Sequence, residues 1–272
     1  MKTHVIAIGG LGNQMFEYAF LLALRNQGHD VVLDTSYYGF LHMHNGYELD
    51  RVFGINEEIV NKQGLHILFL RFLNKFASPS YYLIDSLEYN AHYLNSPSRF
   101  LKGYWQDERY FKDIDATIRE AFQFKDVDRV NLDFAKEMQD CNSVSVHIRR
   151  GDYSYYGMTL IGEDYYKRAL GYIGDRIDSP VFYFFSDDEY VAKRIAEKLN
   201  VVCRFVTHNR DVDSYKDMYL MSHCRHNIVA NSSFSWWGAW LNRNNEKIVI
   251  APALWDDKKP SFHPQLSEWV LL

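Results

Sequence analysis

Short apolar blocks that end in glycine or small polar residues, each followed by a segment of helical period, divide most of the chain into alternating strands and helices. Residues 5–8 predict a first strand, and Gly9-Gly10-Leu11-Gly12 interrupts it. A helix starting at Asn13 or Gln14 and running to about Gln27 follows, with Met15, Phe16, Ala19, Phe20, Leu22 and Ala23 as its wide apolar face. Gly28 stops that helix and residues 31–33 read as the next strand, completing a βαβ unit. A second run begins near Ser143. Strands are expected over 143–148, 181–185, 201–206, 227–230 and 247–250, with helices over 163–172, from just after Asp188 to Lys198, around 214–221 and over 234–241.

Between these runs the pattern loosens. Residues 37–111 are rich in aromatics and histidines without a clear period, and the charged segment 126–140 reads as a connecting helix. The segment Leu65–Phe76 is apolar with two basic residues. A helix buried against the first domain is the preferred reading, because its polar face is thin; a helix lying on a membrane surface is the alternative. No repeat or low-complexity tract is present. The expected architecture is two α/β domains with a cleft between them, divided at 1–140 and 141–272.

Composition narrows the function. The 272 residues, 47% of them hydrophobic, suffice for two cores, and a formal charge of -5 argues against nucleic acid as partner. Cys141, Cys203 and Cys224 are widely spaced, with no metal-like spacing, which points to a reducing compartment. With no signal-peptide pattern and no run long enough to span a bilayer, the expected location is the cytoplasm, with a peripheral position at the inner face of the membrane as the alternative.

Candidate chemistry sits where strands end. After 143–148 come Arg149, Arg150 and Asp152, preceded by His147; guanidinium groups stay charged and match phosphate oxygens. Asp187 and Asp188 follow the next strand, and Asn231, Ser232, Ser233 and Phe234 open the helix after 227–230. Open α/β sheets bind ligands at these ends, and hydroxyls with helix-start amides suit phosphate, although the serines could simply cap the helix. The glycine segment fits a dinucleotide fingerprint at Gly10 and Gly12, but Met15 stands where the third glycine is needed, so a nicotinamide cofactor is not expected. Asp-x-Asp pairs occur at Asp113/Asp115, Asp126/Asp128 and Asp211/Asp213; two arginines able to neutralise a diphosphate favour a site without metal.

These blocks resemble the bacterial α1,2-fucosyltransferases, glycosyltransferase family 11. The resemblance is carried by Gly9 to Ala19, Tyr47-Glu48-Leu49-Asp50, Gly103-Tyr104-Trp105-Gln106, His147 to Tyr153, Phe185 to Asp188 and Ala230 to Trp240, in the family's order. The His-x-Arg-Arg-x-Asp block is shared with other fucosyltransferases; the N-terminal and Trp-Trp-Gly blocks are particular to the α1,2 type. The resemblance implies an α/β GT-B fold, two Rossmann-like domains facing each other across a cleft, with no cofactor and no metal. It implies inverting transfer of L-fucose from GDP-β-L-fucose to the 2-hydroxyl of a galactose on an oligosaccharide or lipid-linked glycan. The C-terminal domain would bind the donor and the N-terminal domain most of the acceptor. Arg149 would hold the β-phosphate, with Arg150 sharing that role or bracing the loop through Asp152. His147 and one of Asp187 or Asp188 would contact the guanosine. Ser232, Ser233 and the Phe234 amide would complete the phosphate cradle, Asn13 and Gln14 would face the donor from across the cleft, and Asn231, Gly10 and Gly12 would also belong to the donor site. Asp152 is the motif-based candidate for a base, with Glu17, His42, His44 and Asp107 as alternatives. Two other readings remain open at this point: a GDP-sugar transferase of different linkage, and a silent glycan-binding module. The oligomeric state and the particular galactoside are not legible.

Overall fold

The computed structural model describes residues 2–39, 44–62, 64–95, 97–151, 153, 157–197 and 202–272. The chain divides into two compact units, Met1–Asp126 and Val127–Leu272. Each is built on a parallel sheet.

Unit 1 contains β1 (Thr3–Ile6), α1 (Leu11–Asn26), β2 (Val31–Asp34), α2 (Leu49–Phe53), β3 (Ile59–Val60), α3 (Leu65–Phe76), β4 (Tyr82–Ile84), α4 (His92–Asn95), β5 (Phe100–Lys102) and α5 (Asp115–Ala121). Its strand order is β3-β2-β1-β5-β4, all parallel. The chain winds outward from β1 in one direction and returns on the other side, so β1 and β5 flank the point where the winding reverses. Helix α1 starts two or three residues earlier than expected, because Gly10 caps it in an extended conformation and Gly12 lies inside the first turn. Three of the five strands come from the aperiodic middle of the sequence; at two or three residues each they are too short to show alternation.

Helix α3 is partly as expected. Ile67, Leu70 and Leu73 are buried, and the latter two pack with Ile6, Tyr37, Tyr82 and Phe100. Its other side keeps Leu65, Leu68, Phe69, Phe72 and Phe76 exposed.

Unit 2 contains α6 (Arg129–Gln139), β6 (Ser143–Ile148), α7 (Glu163–Gly174), β7 (Val181–Ser186), α8 (Glu189–Glu197), β8 (Cys203–Val206), α9 (Tyr215–His223), β9 (His226–Ile228), α10 (Ser233–Leu241), β10 (Val249–Ala251) and β11 (Val270–Leu271). Its strand order is β11-β10-β9-β6-β7-β8, again all parallel. All six residues of β6 are buried, as the middle strand of a sheet covered on both faces demands. One face carries Tyr165, Tyr166, Leu170 and Ile173 of α7, and the other carries Ala135 and Met138 of α6 with Leu220 and Met221 of α9.

That packing corrects the domain boundary. The division falls after Asp126, not after residue 140, because α6 belongs to the second core rather than to a connector. Its buried Asn131 side chain also exchanges hydrogen bonds with Asn209, at 3.0 and 2.9 Å. Among the described residues no helix is long and apolar enough to cross a membrane.

Candidate active site

In unit 2 the chain runs from β6 outward through β7 and β8, then returns to place β9 on the other side of β6. The loops after β6 and β9 therefore diverge at the switch point, where a parallel sheet leaves a crevice at its carboxyl edge. The loop after β7 is adjacent, since Ile148 and Ser186 are register partners. The three sequence clusters thus meet at one edge.

Asp187 organises the loop after β6. One carboxylate oxygen accepts the Arg150 amide at 2.8 Å, and the other lies 3.2 Å from a terminal guanidinium nitrogen of Arg149. The approach is close: an added Cβ on Gly151 would stand 3.0 Å from that second oxygen. Asp188 has a different task. It accepts the Val191 amide at 3.1 Å, capping α8, while Ser186 Oγ receives the Asp188 amide and donates to its carbonyl, both at 3.0 Å.

Tyr153 links this loop to the next. Its ring lies 5.7 Å from the Arg149 guanidinium, and its hydroxyl donates to the Asn231 carbonyl at 2.9 Å. Asn231 is held by donating to the carbonyls of Thr159 and Trp255 at 2.9 and 3.0 Å. Its buried Oδ1 has no hydrogen-bond partner among the described residues. Ser232 caps α10 by accepting the Phe234 amide at 3.3 Å, so the capping function is real. Ser233 begins the helix. Trp236, Trp237 and Trp240 of the Trp-Trp-Gly block are buried and set the helix position, with Trp236 donating to the Pro264 carbonyl at 2.7 Å.

His147, the penultimate residue of β6, is buried with its ring 5.9 Å from that of Phe234. Burial first, and then the charge of Arg149, push its pKa down to about 3, so it is a neutral imidazole at physiological pH. Its Nδ1 is buried without a hydrogen-bond partner among the described residues. A neutral ring of this kind can donate from one nitrogen and accept at the other. Asp152 lies outside the described residues.

Unit 1 has a corresponding edge between β1 and β5. Gly9, with φ of +81°, turns the chain so that its carbonyl accepts from Tyr38 Oη at 2.7 Å and from Gln14 Nε2 at 3.3 Å. Gln14 is fully buried and serves as a clasp. It also donates to the Gly46 carbonyl at 2.8 Å and accepts the Glu48 amide at 2.9 Å. Its amide is thus engaged within unit 1. Asn13 Oδ1 accepts from Gln106 Nε2 at 2.7 Å, tying the loop after β1 to the loop after β5. Gly10 and Gly12 supply the helix start. The blocks Gly9 to Ala19, Tyr47 to Asp50 and Gly103 to Gln106 therefore interlock at one edge.

Among the alternative bases, Glu17 is fully buried, with both oxygens 3.1 Å from the Ile8 amide, and burial raises its pKa well above the usual value. Asp107 is paired with Arg109 at 2.5 Å and caps the turn that follows. The His44 ring packs 3.3 Å from where a Cβ on Gly10 would stand, and His42 lies outside the described residues. Among the described residues no three His, Cys, Asp or Glu side chains form a metal-sized group. Asp128 and Asp213, from two of the Asp-x-Asp pairs, both grip Lys216 at 2.8 Å, and Asp115 of the third pairs with Arg119. Sequence reasoning gave no role to Tyr153, Gln106, Tyr38 or Thr159. The first two stand inside the blocks that carry the resemblance, and that was the available signal.

Known proteins place this geometry in a family. An α-1,2-colitosyltransferase of Escherichia coli is 35% identical, with 96% of each chain covered. The O-antigen biosynthesis glycosyltransferase WbnK of Escherichia coli is 32% identical, covering 97% of this chain and 98% of its own. The galactoside α-(1,2)-fucosyltransferase 2 of Rattus norvegicus is 28% identical over 97% of this chain and 75% of its own. Among solved structures, NodZ α-1,6-fucosyltransferase soaked with GDP-fucose superposes with a TM-score of 0.51 at 12% identity, covering 88% of this chain and 92% of its own. An Arabidopsis thaliana FUT1 variant in complex with GDP gives 0.52 at 11%, covering 92% and 70%. These likenesses establish the fold, two parallel-sheet α/β domains of the GT-B class. The sequence model described as Glycosyl transferase family 11 matches residues 1–272, and the chain belongs to that family.

Proposed function

We propose that the chain transfers L-fucose from GDP-β-L-fucose to the 2-hydroxyl of a terminal galactose, with inversion. The observation that carries this reading is the Arg149-Arg150 loop, fixed by Asp187 at the switch point of unit 2 beside the capped start of α10. As the sugar departs with cationic character, negative charge grows on the diphosphate, and fixed donors aimed at it lower the barrier. We assign Arg149 and Arg150 to that charge, and Ser233 with the start of α10 to the outer phosphate oxygens. His147 and Asn231, each with a buried polar atom lacking a partner among the described residues, are assigned to the nucleoside. Asp187 acts through the arginines, and unit 1 serves the acceptor. Asp152 remains our candidate for the base.

With guanidinium groups supplying the counter-charge, the proposal needs no metal. Turnover is expected to persist in EDTA; complete loss on chelation, restored by a divalent ion, would overturn this part.

One observation favours a second donor. The colitosyltransferase relative, at 35% identity over nearly the whole of both chains, transfers colitose in the same linkage. Incubation with GDP-fucose and with the GDP derivative of colitose, against a panel of galactosides, separates the two. Mass spectrometry and linkage analysis should show a deoxyhexose on the galactose 2-hydroxyl. Preferential use of colitose would replace the donor sugar, a different linkage would remove the α1,2 assignment, and no turnover with either donor despite GDP binding would point to a silent module.

A further inference from the structure

We infer that the outer face of α3 is a docking surface for an anionic lipid bilayer. Leu65, Leu68, Phe69, Phe72 and Phe76 follow the i, i+3, i+4, i+7, i+11 spacing that lines one side of a helix. They stand 83%, 59%, 42%, 58% and 63% exposed, opposite the buried Ile67, Leu70 and Leu73. The helix is thus apolar on both sides, which burial against unit 1 alone does not explain. The rings adjoin one another. Phe72 and Phe76 lie 4.9 Å apart, and Phe69 packs on Phe100, which also meets the half-exposed Tyr81. A continuous apolar stripe of this kind marks an interaction site.

Charge selects the occupant. Between Ile59 and Ile84 the chain has no Asp or Glu, although it carries 35 of them overall and a net charge of -5. Lys62, Arg71 and Lys75 fall in this stretch; Lys75 lies 5.2 Å from the Phe76 ring. Apolar rings bordered by cations on an otherwise acidic molecule suit the boundary between acyl chains and anionic headgroups. A second copy is disfavoured, since a two-fold contact along this face would bring Arg71 and Lys75 of both copies together on helices that carry no carboxylate of their own.

The helix is held in place to present this face. His66 donates to Asp34 at 2.9 Å, and His4 approaches the same carboxylate oxygen at 3.2 Å. Burial alone would raise the Asp34 pKa, but hydrogen bonds from His4, Ser36 and His66 prevail and lower it, so the anchor is an ionised carboxylate. The stripe therefore rides on a helix clamped to the sheet.

The test is independent of the donor and acceptor assignments. The full chain is floated with phosphatidylcholine vesicles, with and without phosphatidylglycerol, at low and high salt. Binding at least about tenfold tighter to the anionic vesicles, weakened by salt, is expected. Phe72→Glu and Leu68→Glu should each lower it by about tenfold or more while retaining the near-ultraviolet circular dichroism of the native chain. If one variant misfolds, the other carries the comparison. No recruitment to either vesicle, or recruitment unchanged in a folded variant, would overturn the proposal. Concentration-dependent dimerisation abolished by the same substitutions would assign the face to a second copy instead.

Discussion

Arg149 and Asp187 form an ion pair whose side chains are 28% and 26% exposed, and Asp187 also accepts the Arg150 amide, so loss of the guanidinium does not leave its carboxylate stranded. The pair's consequence is directional: a guanidinium held at Asp187 is kept near the phosphate edge before substrate arrives, and such preorganisation is what electrostatic catalysis requires. Arg149→Ala should lower kcat by about 10²- to 10³-fold while changing stability by less than about 1 kcal/mol. Arg149→Lys should recover little, since an ammonium lacks the planar fork that meets Asp187 and phosphate together. Steady-state kinetics beside thermal unfolding checks both; near-normal turnover in either variant removes Arg149 from the mechanism. At this scale the sequence revealed residue types better than their duties. A charged His-Arg-Arg loop at a strand end was visible. The bond from the Arg150 amide to Asp187 spans 37 positions and depends on strand order, so no local pattern discloses it. Gln14 likewise shows only as a polar residue beside a glycine turn, whereas three backbone groups of unit 1 consume its amide.

Helix α1 shows what an element adds to its residues. Its first two turns bring Asn13, Gln14 and Glu17 to the carboxyl edge of the unit 1 sheet, and their contacts fasten the loops that follow β1, β2 and β5. Glu17 takes part without exposure to solvent, and burial raises its pKa well above the usual value, so the neutral carboxylic acid is favoured more strongly than in water. A neutral isostere should then fit. Glu17→Gln is expected to change stability by less than about 1 kcal/mol, whereas Glu17→Ala, which leaves a cavity and an unsatisfied Ile8 amide, should cost about 2–4 kcal/mol. Chemical denaturation of the two variants decides; equal large losses would mean that Glu17 is buried as an anion. Elements with strong periodicity were legible, including α1, α7 and the βα alternation of unit 2. Those of unit 1 between Tyr37 and Phe111 were not. Strands β3, β4 and β5 draw their stability from pairing with distant partners, which two or three residues of sequence cannot announce.

For the whole molecule, the two-sheet plan followed from the alternation of elements, while the boundary did not. Helix α6 looks charged along its length, yet Ala135 and Met138 are enough to commit it to the second core. Burial of this kind also sets how unit 2 responds to pH. His147 is pushed down to about 3, and burial lowers His208, His223 and His226 as well. An unfolded histidine takes up a proton near pH 6.5, so each of these favours the native state above that value and loses its contribution as pH falls below it. Asp217, at the start of α9, opposes them. Burial raises it to about 7, against hydrogen bonding from Asn209 and the charge of Arg210, which lower it. The unfolded chain releases that proton near pH 4 and the native state near 7, so stability is lost as pH rises between the two and the full penalty persists above. Asp217→Asn keeps an acceptor for Asn209 and removes the charge. It should stabilise the protein by about 2 kcal/mol at pH 8, a figure discounted for the part of the residue left in water, and by almost nothing at pH 4. Five of the six tryptophans, Trp236, Trp237, Trp240, Trp255 and Trp269, lie in unit 2, so intrinsic fluorescence during urea denaturation reports mainly on that core. A gain of the same size at both pH values would show that the substitution acts through packing and that Asp217 titrates normally in the folded protein.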